Sequence, residues 1–284
     1  MSPSSTMTSL DLPGRFVTTA WLADHLTHPA LRLIQVGGES FYHQVHLPGA
    51  QLLSSMDILR SVDGVPGMRE TEDRLTALLG RMGIGAGTVV VAYDAAGGLD
   101  AARLVWTLAT LGYDVGAVLD GGIHAWMQEQ RPVSPDRPGV TPEVFPLQAT
   151  SQWTADREGV RRIAQRELDA DLLDTRSQRE YLGVGMRGPA GHIPGAEHMD
   201  WIDALVDNRN PRLKPDAALR QRLTLAGVVD PSREVVVYCQ TAHRASHTWV
   251  LLRHLGFQRV RLYDGSMSEW GLTGGALVSG EAPR

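Results

Sequence analysis

Two tandem α/β domains, each a mostly parallel sheet with helices on both faces, are predicted by three features of the chain. Short apolar runs rich in β-branched residues alternate with stretches whose apolar residues recur at helical spacing, the pattern of strands joined by crossover helices. The same punctuation occurs twice, about half a chain apart, which marks a duplicated domain. Between the copies lies a stretch with five prolines (132, 135, 138, 142 and 146), too dense for a helix or a central strand.

Taken in order, the repeat begins with His46-Leu47-Pro48-Gly49-Ala50, which returns as His192-Ile193-Pro194-Gly195-Ala196. Val90-Val91-Ala92-Tyr93-Asp94 returns about 145 residues on as Val235-Val236-Val237-Tyr238-Cys239. Leu111-Gly112-Tyr113 returns as Leu255-Gly256-Phe257, and Asp120-Gly121 through Trp126 as Asp264-Gly265 through Trp270. In the second copy the periodicity predicts a helix over 153–167, a strand over 172–174 and a helix over 216–226. A strand at 235–238, a helix from about 245, a strand at 260–263 and a short helix from Ser266 follow. The resulting division is 1–130 for the first domain, 131–152 for an extended linker and 153–284 for the second domain.

Composition narrows the function classes. With 43% hydrophobic and 21% charged residues and a net charge of -5, the chain has no basic face for nucleic acid. One cysteine cannot form an intramolecular disulfide, which suits a reducing compartment. The first residues lack a basic region followed by an apolar one, and no stretch approaches the ~20 apolar residues of a spanning helix. The expectation is a cytoplasmic protein with no membrane partner. The histidines show no metal-ligand spacing, so neither a metal nor a cofactor is expected.

Chemistry concentrates at Cys239. An apolar run delivers the chain into the loop Cys239-Gln240-Thr241-Ala242-His243-Arg244, and a helix begins just beyond. Parallel sheets place their sites at the C-terminal ends of strands, and a helix N-terminus favours an anion. A thiol attacks as its thiolate, and an ordinary thiol near pKa 8.5 is only a few per cent ionised at neutral pH. Lowering such a pKa by about two units requires about 2.7 kcal/mol. A helix terminus supplies about 0.3–1 kcal/mol, so loop N–H groups and a guanidinium must add the rest. Arg244 is the cation at hand, and His243 a second when protonated. The spacing is C-x4-R, one residue short of the C-x5-R loop that closes around a tetrahedral phosphate. In the first copy Asp94 stands in place of the cysteine, followed by Ala95-Ala96-Gly97-Gly98-Leu99 with no cation.

These residues together resemble the rhodaneses, specifically the tandem-domain sulfurtransferases. The resemblance spans nearly the whole chain: the paired H-[LI]-P-G-A motifs, the short cysteine loop, Tyr263-Asp264-Gly265-Ser266 with Trp270, and a first copy with Asp for Cys. It implies a ping-pong reaction in which a thiolate takes the outer sulfur of thiosulfate as a persulfide and passes it to a thiophilic acceptor such as cyanide. The loop is similar to a bacterial two-domain type, C-Q-T-x-H-R. It differs from the C-R-K-G-V-T and C-G-S-G-V-T loops of vertebrate thiosulfate and mercaptopyruvate enzymes.

The resemblance assigns Cys239 as nucleophile, with Arg244, His243, Gln240, Thr241 and Ala242 around the substrate and Asp174 and Arg176 as an ion pair bracing the loop. Glu180 stands where vertebrate members carry a substrate-binding Arg. Arg187, in an insertion of about seven residues, is a further cation without motif support. His46 and His192 occur in both copies, including the one without Cys, so a structural role before Pro-Gly is preferred. The expected partners are a small-molecule sulfur donor and acceptor. Two alternatives stay open: 3-mercaptopyruvate as donor, and a persulfide carrier that hands sulfur to a protein acceptor. A phosphatase or arsenate reductase is disfavoured by the loop length.

Overall fold

A computed structural model describes residues 9–184 and 190–281. Arg187 lies outside the described residues. Two compact units divide the chain: 1–58 with 70–149, and 59–69 with 150–284.

The first unit contains β1 (Phe16–Val17), α1 (Thr19–His25), β2 (Leu31–Val36), α2 (Glu39–Tyr42) and β3 (Gln51–Leu53). A hairpin, β4 (Leu59–Val62) and β5 (Val65–Arg69), follows in the chain. Then come α3 (Glu72–Arg81), β6 (Val89–Tyr93), α4 (Leu99–Thr110), β7 (Gly116–Leu119) and α5 (Gly122–Gln128). The sheet has the order β1-β7-β6-β2-β3, and every pairing in it is parallel. Side chains alternate across a strand, so both faces must be covered. Leu33, Val91, Tyr93 and Leu119 pack with Leu22 of α1 and with Ile123 and Trp126 of α5. The intervening residues Val90 and Ala92 are also buried, on the side taken by α4. The proline-rich stretch has no helix and runs back along this unit: His46 and Ser134 exchange backbone hydrogen bonds, and Glu143 and Gln148 donate to Gly80 and Leu111.

In the second unit β8 (Thr154–Ala155), α6 (Arg157–Ala164), β9 (Asp171–Asp174), α7 (Gln178–Leu182) and β10 (Glu197–His198) are followed by α8 (Asp216–Leu225). After these come β11 (Val235–Tyr238), α9 (His243–His254), β12 (Val260–Tyr263) and α10 (Ser266–Leu272). Its all-parallel order, β10-β9-β11-β12-β8, is that of the first unit with each strand in the corresponding place. Leu172, Val236, Tyr238 and Tyr263 form one face against Val160 and Ile163 of α6 and Trp270 of α10.

Two local readings change, and one segment that the periodicity left unread is placed. The helix expected over 153–167 is shorter, because Thr154–Ala155 pairs with β12 and the Asp156 side chain then caps α6 by accepting from Gly159 N at 2.7 Å. The helix expected from about 245 begins at His243, since Ala242 takes a left-handed backbone (φ 67) and turns the chain sharply. The 59–69 hairpin packs with the second unit: Arg69 N–H donates to Asp264 Oδ2 at 2.8 Å. Its turn, Asp63-Gly64, has both residues at positive φ, the conformation of a tight two-residue hairpin.

The paired motifs do matching work in each unit. His46 stacks on Tyr42 with ring centroids 3.9 Å apart, and His192 stacks on Tyr181 at 3.7 Å. Each histidine uses Nδ1 on the carbonyl of the tyrosine it stacks on, at 2.8 Å in both cases. The Tyr42 and Tyr181 hydroxyls donate to Ala50 and Ala196, and Trp126 and Trp270 donate Nε1–H to Pro132 and Ala276. These histidines are buried hubs that fold the Pro-Gly turn onto the sheet.

Candidate functional site

Cys239 follows β11 at the C-terminal edge of the second sheet and is 1% exposed. Its position is set by backbone contacts from the β12–α10 segment. Cys239 N–H donates to Ser266 Oγ at 3.2 Å, and Met267 N–H donates to the Cys239 carbonyl at 3.0 Å. Ser266 hydroxyl in turn donates to the Tyr263 carbonyl at 2.8 Å. Ser268 holds the next residue, donating from both N–H and hydroxyl to the Gln240 carbonyl while accepting from Gln240 Nε2. Ser266 and Ser268 were not assigned from the sequence, although Tyr263-Asp264-Gly265-Ser266 marked their neighbourhood.

The loop residues separate by role. Gln240 is tied to Ser268, and Ala242 is the left-handed residue preceding α9. Thr241 faces the hairpin: a Cβ placed on Gly67 would lie 3.1 Å from Thr241 Cβ and 3.3 Å from its carbonyl, so glycine there permits the close approach. His243 opens α9 and Arg244 lies in its first turn. Among the described residues no side chain caps α9, and the first N–H groups of a helix have no partner within it. That end of the helix is therefore suited to an anion or a polarisable sulfur.

Arg244 makes a bidentate pair with Glu180, Nη1 to Oε2 at 2.7 Å and Nη2 to Oε1 at 2.9 Å. Burial alone would lower the guanidinium pKa, but its two hydrogen bonds to the Glu180 carboxylate outweigh burial and raise it. Glu180 belongs to a capping box at the start of α7: its side chain accepts from Ser177 N–H and hydroxyl, while Ser177 Oγ accepts from Glu180 N–H. Burial would raise the Glu180 pKa, yet the bonds from Arg244 and Ser177 outweigh it and hold it at about 2. The carboxylate is thus ionised throughout the neutral range. Ser177-Gln178-Arg179-Glu180 fits the capping-box pattern, so the local role of Glu180 was readable from sequence, whereas its pairing with Arg244 was not.

Beneath the loop Asp174 and Arg176 form a buried ion pair, Nη2 to Oδ2 at 2.6 Å and Nε to Oδ1 at 3.0 Å. Arg176 also donates to the Gly191 carbonyl at 2.8 Å, which ties β9 to the His192 turn. Removing one partner from such a pair costs about 3–5 kcal/mol. A cleft of about 550 Å³ lies at the other end of β9, lined by Asp171, Arg233 and Glu167 among others, and does not include the Cys239 loop.

The corresponding loop of the first unit is filled by its own side chain. Asp94 Oδ1 accepts from Ala96 N–H and Gly98 N–H, each at 2.8 Å, and Oδ2 accepts from Ala101 N–H at 2.9 Å. A buried carboxylate thus satisfies the N–H groups of this loop from within.

A duplicated parallel α/β unit with a thiol at the strand end of one copy defines a class of tandem cysteine-loop proteins. The chain belongs to the rhodanese-like family: the Rhodanese-like domain matches it twice, over residues 18–129 and 159–273. It is 33% identical over 258 residues to the thiosulfate sulfurtransferase of Azotobacter vinelandii, covering 90% of this chain and 93% of that one. It is 31% identical over 290 residues to the sulfur carrier protein TtuD of Thermus thermophilus, covering 95% and 98%. Among solved structures, the 3-mercaptopyruvate sulfotransferase SseA from Escherichia coli shares the fold with a TM-score of 0.79 at 21% identity, covering 89% of this chain and 98% of that chain.

Proposed function

We propose that this chain is a sulfurtransferase that takes sulfane sulfur from thiosulfate onto Cys239 and passes it to a thiophilic acceptor. The observation that carries this reading is the uncapped N-terminus of α9 beside the cysteine, together with Arg244 on the same first turn. The Cys239 thiolate attacks the outer sulfur of thiosulfate, the S–S bond of the donor breaks, and sulfite leaves with the electron pair. Attack of cyanide on the outer sulfur of the persulfide then breaks the new S–S bond, regenerates the thiolate and releases thiocyanate. Charge balances in both halves, and no external oxidant is needed. Loop N–H groups and Arg244 stabilise the anionic sulfur in each state. Gln240, Thr241, Ala242 and His243 line its cradle, and Asp174 and Arg176 brace it. Similarity to the Azotobacter vinelandii enzyme supports thiosulfate as the donor.

The experiment is turnover of thiosulfate and cyanide to thiocyanate by the wild type and by Cys239→Ala. Activity in the wild type and none in the variant is expected; turnover retained by the variant rejects the mechanism. A second reading, a persulfide carrier for a protein acceptor, is favoured by similarity to TtuD. Under it the persulfide loads fully from thiosulfate while small acceptors discharge it slowly.

A further inference from the structure

We propose that Glu180 is a positioning and specificity-determining residue: it aims Arg244 at Cys239 and cancels the guanidinium charge, so the site discriminates donors by geometry rather than by total negative charge. This rests on the sulfurtransferase reading above. The pair is preorganised from both sides. Ser177 fixes the carboxylate through the capping box, and the carboxylate in turn fixes the guanidinium through two hydrogen bonds. Both side chains are part-exposed, at 23% and 18%, so their field is screened by nearby water and salt. Two guanidinium nitrogens are committed to Glu180, and Arg244 lies in the first turn of the helix that follows the Cys239 loop. A lone arginine at that place would attract a dianion far more than a monoanion. Paired with Glu180, it contributes directed N–H groups with little net charge.

Coulomb energy scales with the charge of the donor, so removing the carboxylate has a signature that a packing defect does not produce. One uncancelled unit charge about 5 Å from a dianion in near-aqueous dielectric favours it by about tenfold, and favours a monoanion by about threefold, the square root of that factor. Glu180→Gln keeps an acceptor for Arg244 and removes the charge. The expected result is a KM for thiosulfate lowered about tenfold and a KM for 3-mercaptopyruvate lowered about threefold, with the gap closing as salt is added. Glu180→Met removes both acceptor and charge, so the same change in KM ratio should accompany a fall in kcat. Glu180→Asp retains the charge on a shorter side chain and should lower kcat without moving the ratio. Ser177→Ala, which loses the cap alone, should lower thermal stability and leave the ratio in place.

The decisive quantity is the ratio of the two KM values, measured on whichever neutral variants fold. A ratio equal to the wild type in Glu180→Gln or Glu180→Met, or one that also shifts in Glu180→Asp, overturns the proposal while leaving the sulfurtransferase reading intact. Absence of wild-type turnover with both donors overturns the sulfurtransferase reading and the proposal with it; where only one donor turns over, the Ki of the other as a competitive inhibitor supplies the second constant of the ratio.

Discussion

The Asp94 and Cys239 loops stand at the same place in two copies of one fold, and they solve the same backbone problem differently. After β6 the chain must turn into α4, and the N–H groups of the turn need acceptors. Asp94 supplies them from its own carboxylate, through three bonds of 2.8–2.9 Å. After β11 the loop is one residue shorter, a thiol replaces the carboxylate, and among the described residues no side chain caps α9. The second position of the helix also changes sign. Asp100 in α4 corresponds to Arg244 in α9, and burial with the neighbouring Asp94 charge pushes the Asp100 pKa up to about 6. One loop is closed on itself and acidic; the other holds a thiol beside a guanidinium.

The sharpest way to break that comparison is to copy one loop into the other. Cys239→Asp should abolish thiocyanate formation and raise the free energy of unfolding by about 1 kcal/mol, as a carboxylate takes up N–H groups. Urea denaturation with a lowered midpoint would mean that the second cradle is not built for an anion. Asp94→Ala should cost about 2–4 kcal/mol in the same measurement, because three N–H groups lose a charged acceptor in a buried loop. A cost below about 0.5 kcal/mol would show that the self-filled loop is incidental.

A smaller difference lies one turn further along. His247 is buried in α9 where α4 carries the buried Arg103 over the Trp106 ring. Burial lowers the His247 pKa from 6.5 to about 4. As pH falls the unfolded chain therefore takes up this proton first, so the contribution to stability is complete above about 6.5 and is lost progressively toward 4. The loss amounts to about 3 kcal/mol. Denaturation of the wild type and His247→Leu at several pH values should show the wild type losing about 3 kcal/mol relative to the variant as pH falls across this window. A pH-independent difference would contradict the assignment.

Much of this was legible in the sequence because it was written twice. The repeat located corresponding strands, and Asp94 against Cys239 identified the copy with a thiol. Periodicity found β11 because Val235–Tyr238 is an apolar run buried on both faces, and it found β9 and β12 from the shorter apolar pairs Leu172-Leu173 and Leu262-Tyr263. It missed β8, since a two-residue strand has no period and exists only through pairing with β12. The start of α9 was misplaced because Ala242 adopts a left-handed conformation without the glycine that usually signals one. The placement of the 59–69 hairpin and the Glu180–Arg244 pair depend on residues far apart in sequence. Spacing within either segment carries no trace of them.

If Cys239 alone receives sulfur, intact mass spectrometry before and after incubation with thiosulfate should register the transfer. The account predicts a gain of one sulfur atom per chain, located by peptide mapping to Cys239, lost on addition of cyanide and absent from Cys239→Ala. A wild-type protein that gains no mass, or a variant that gains the same mass, would contradict it.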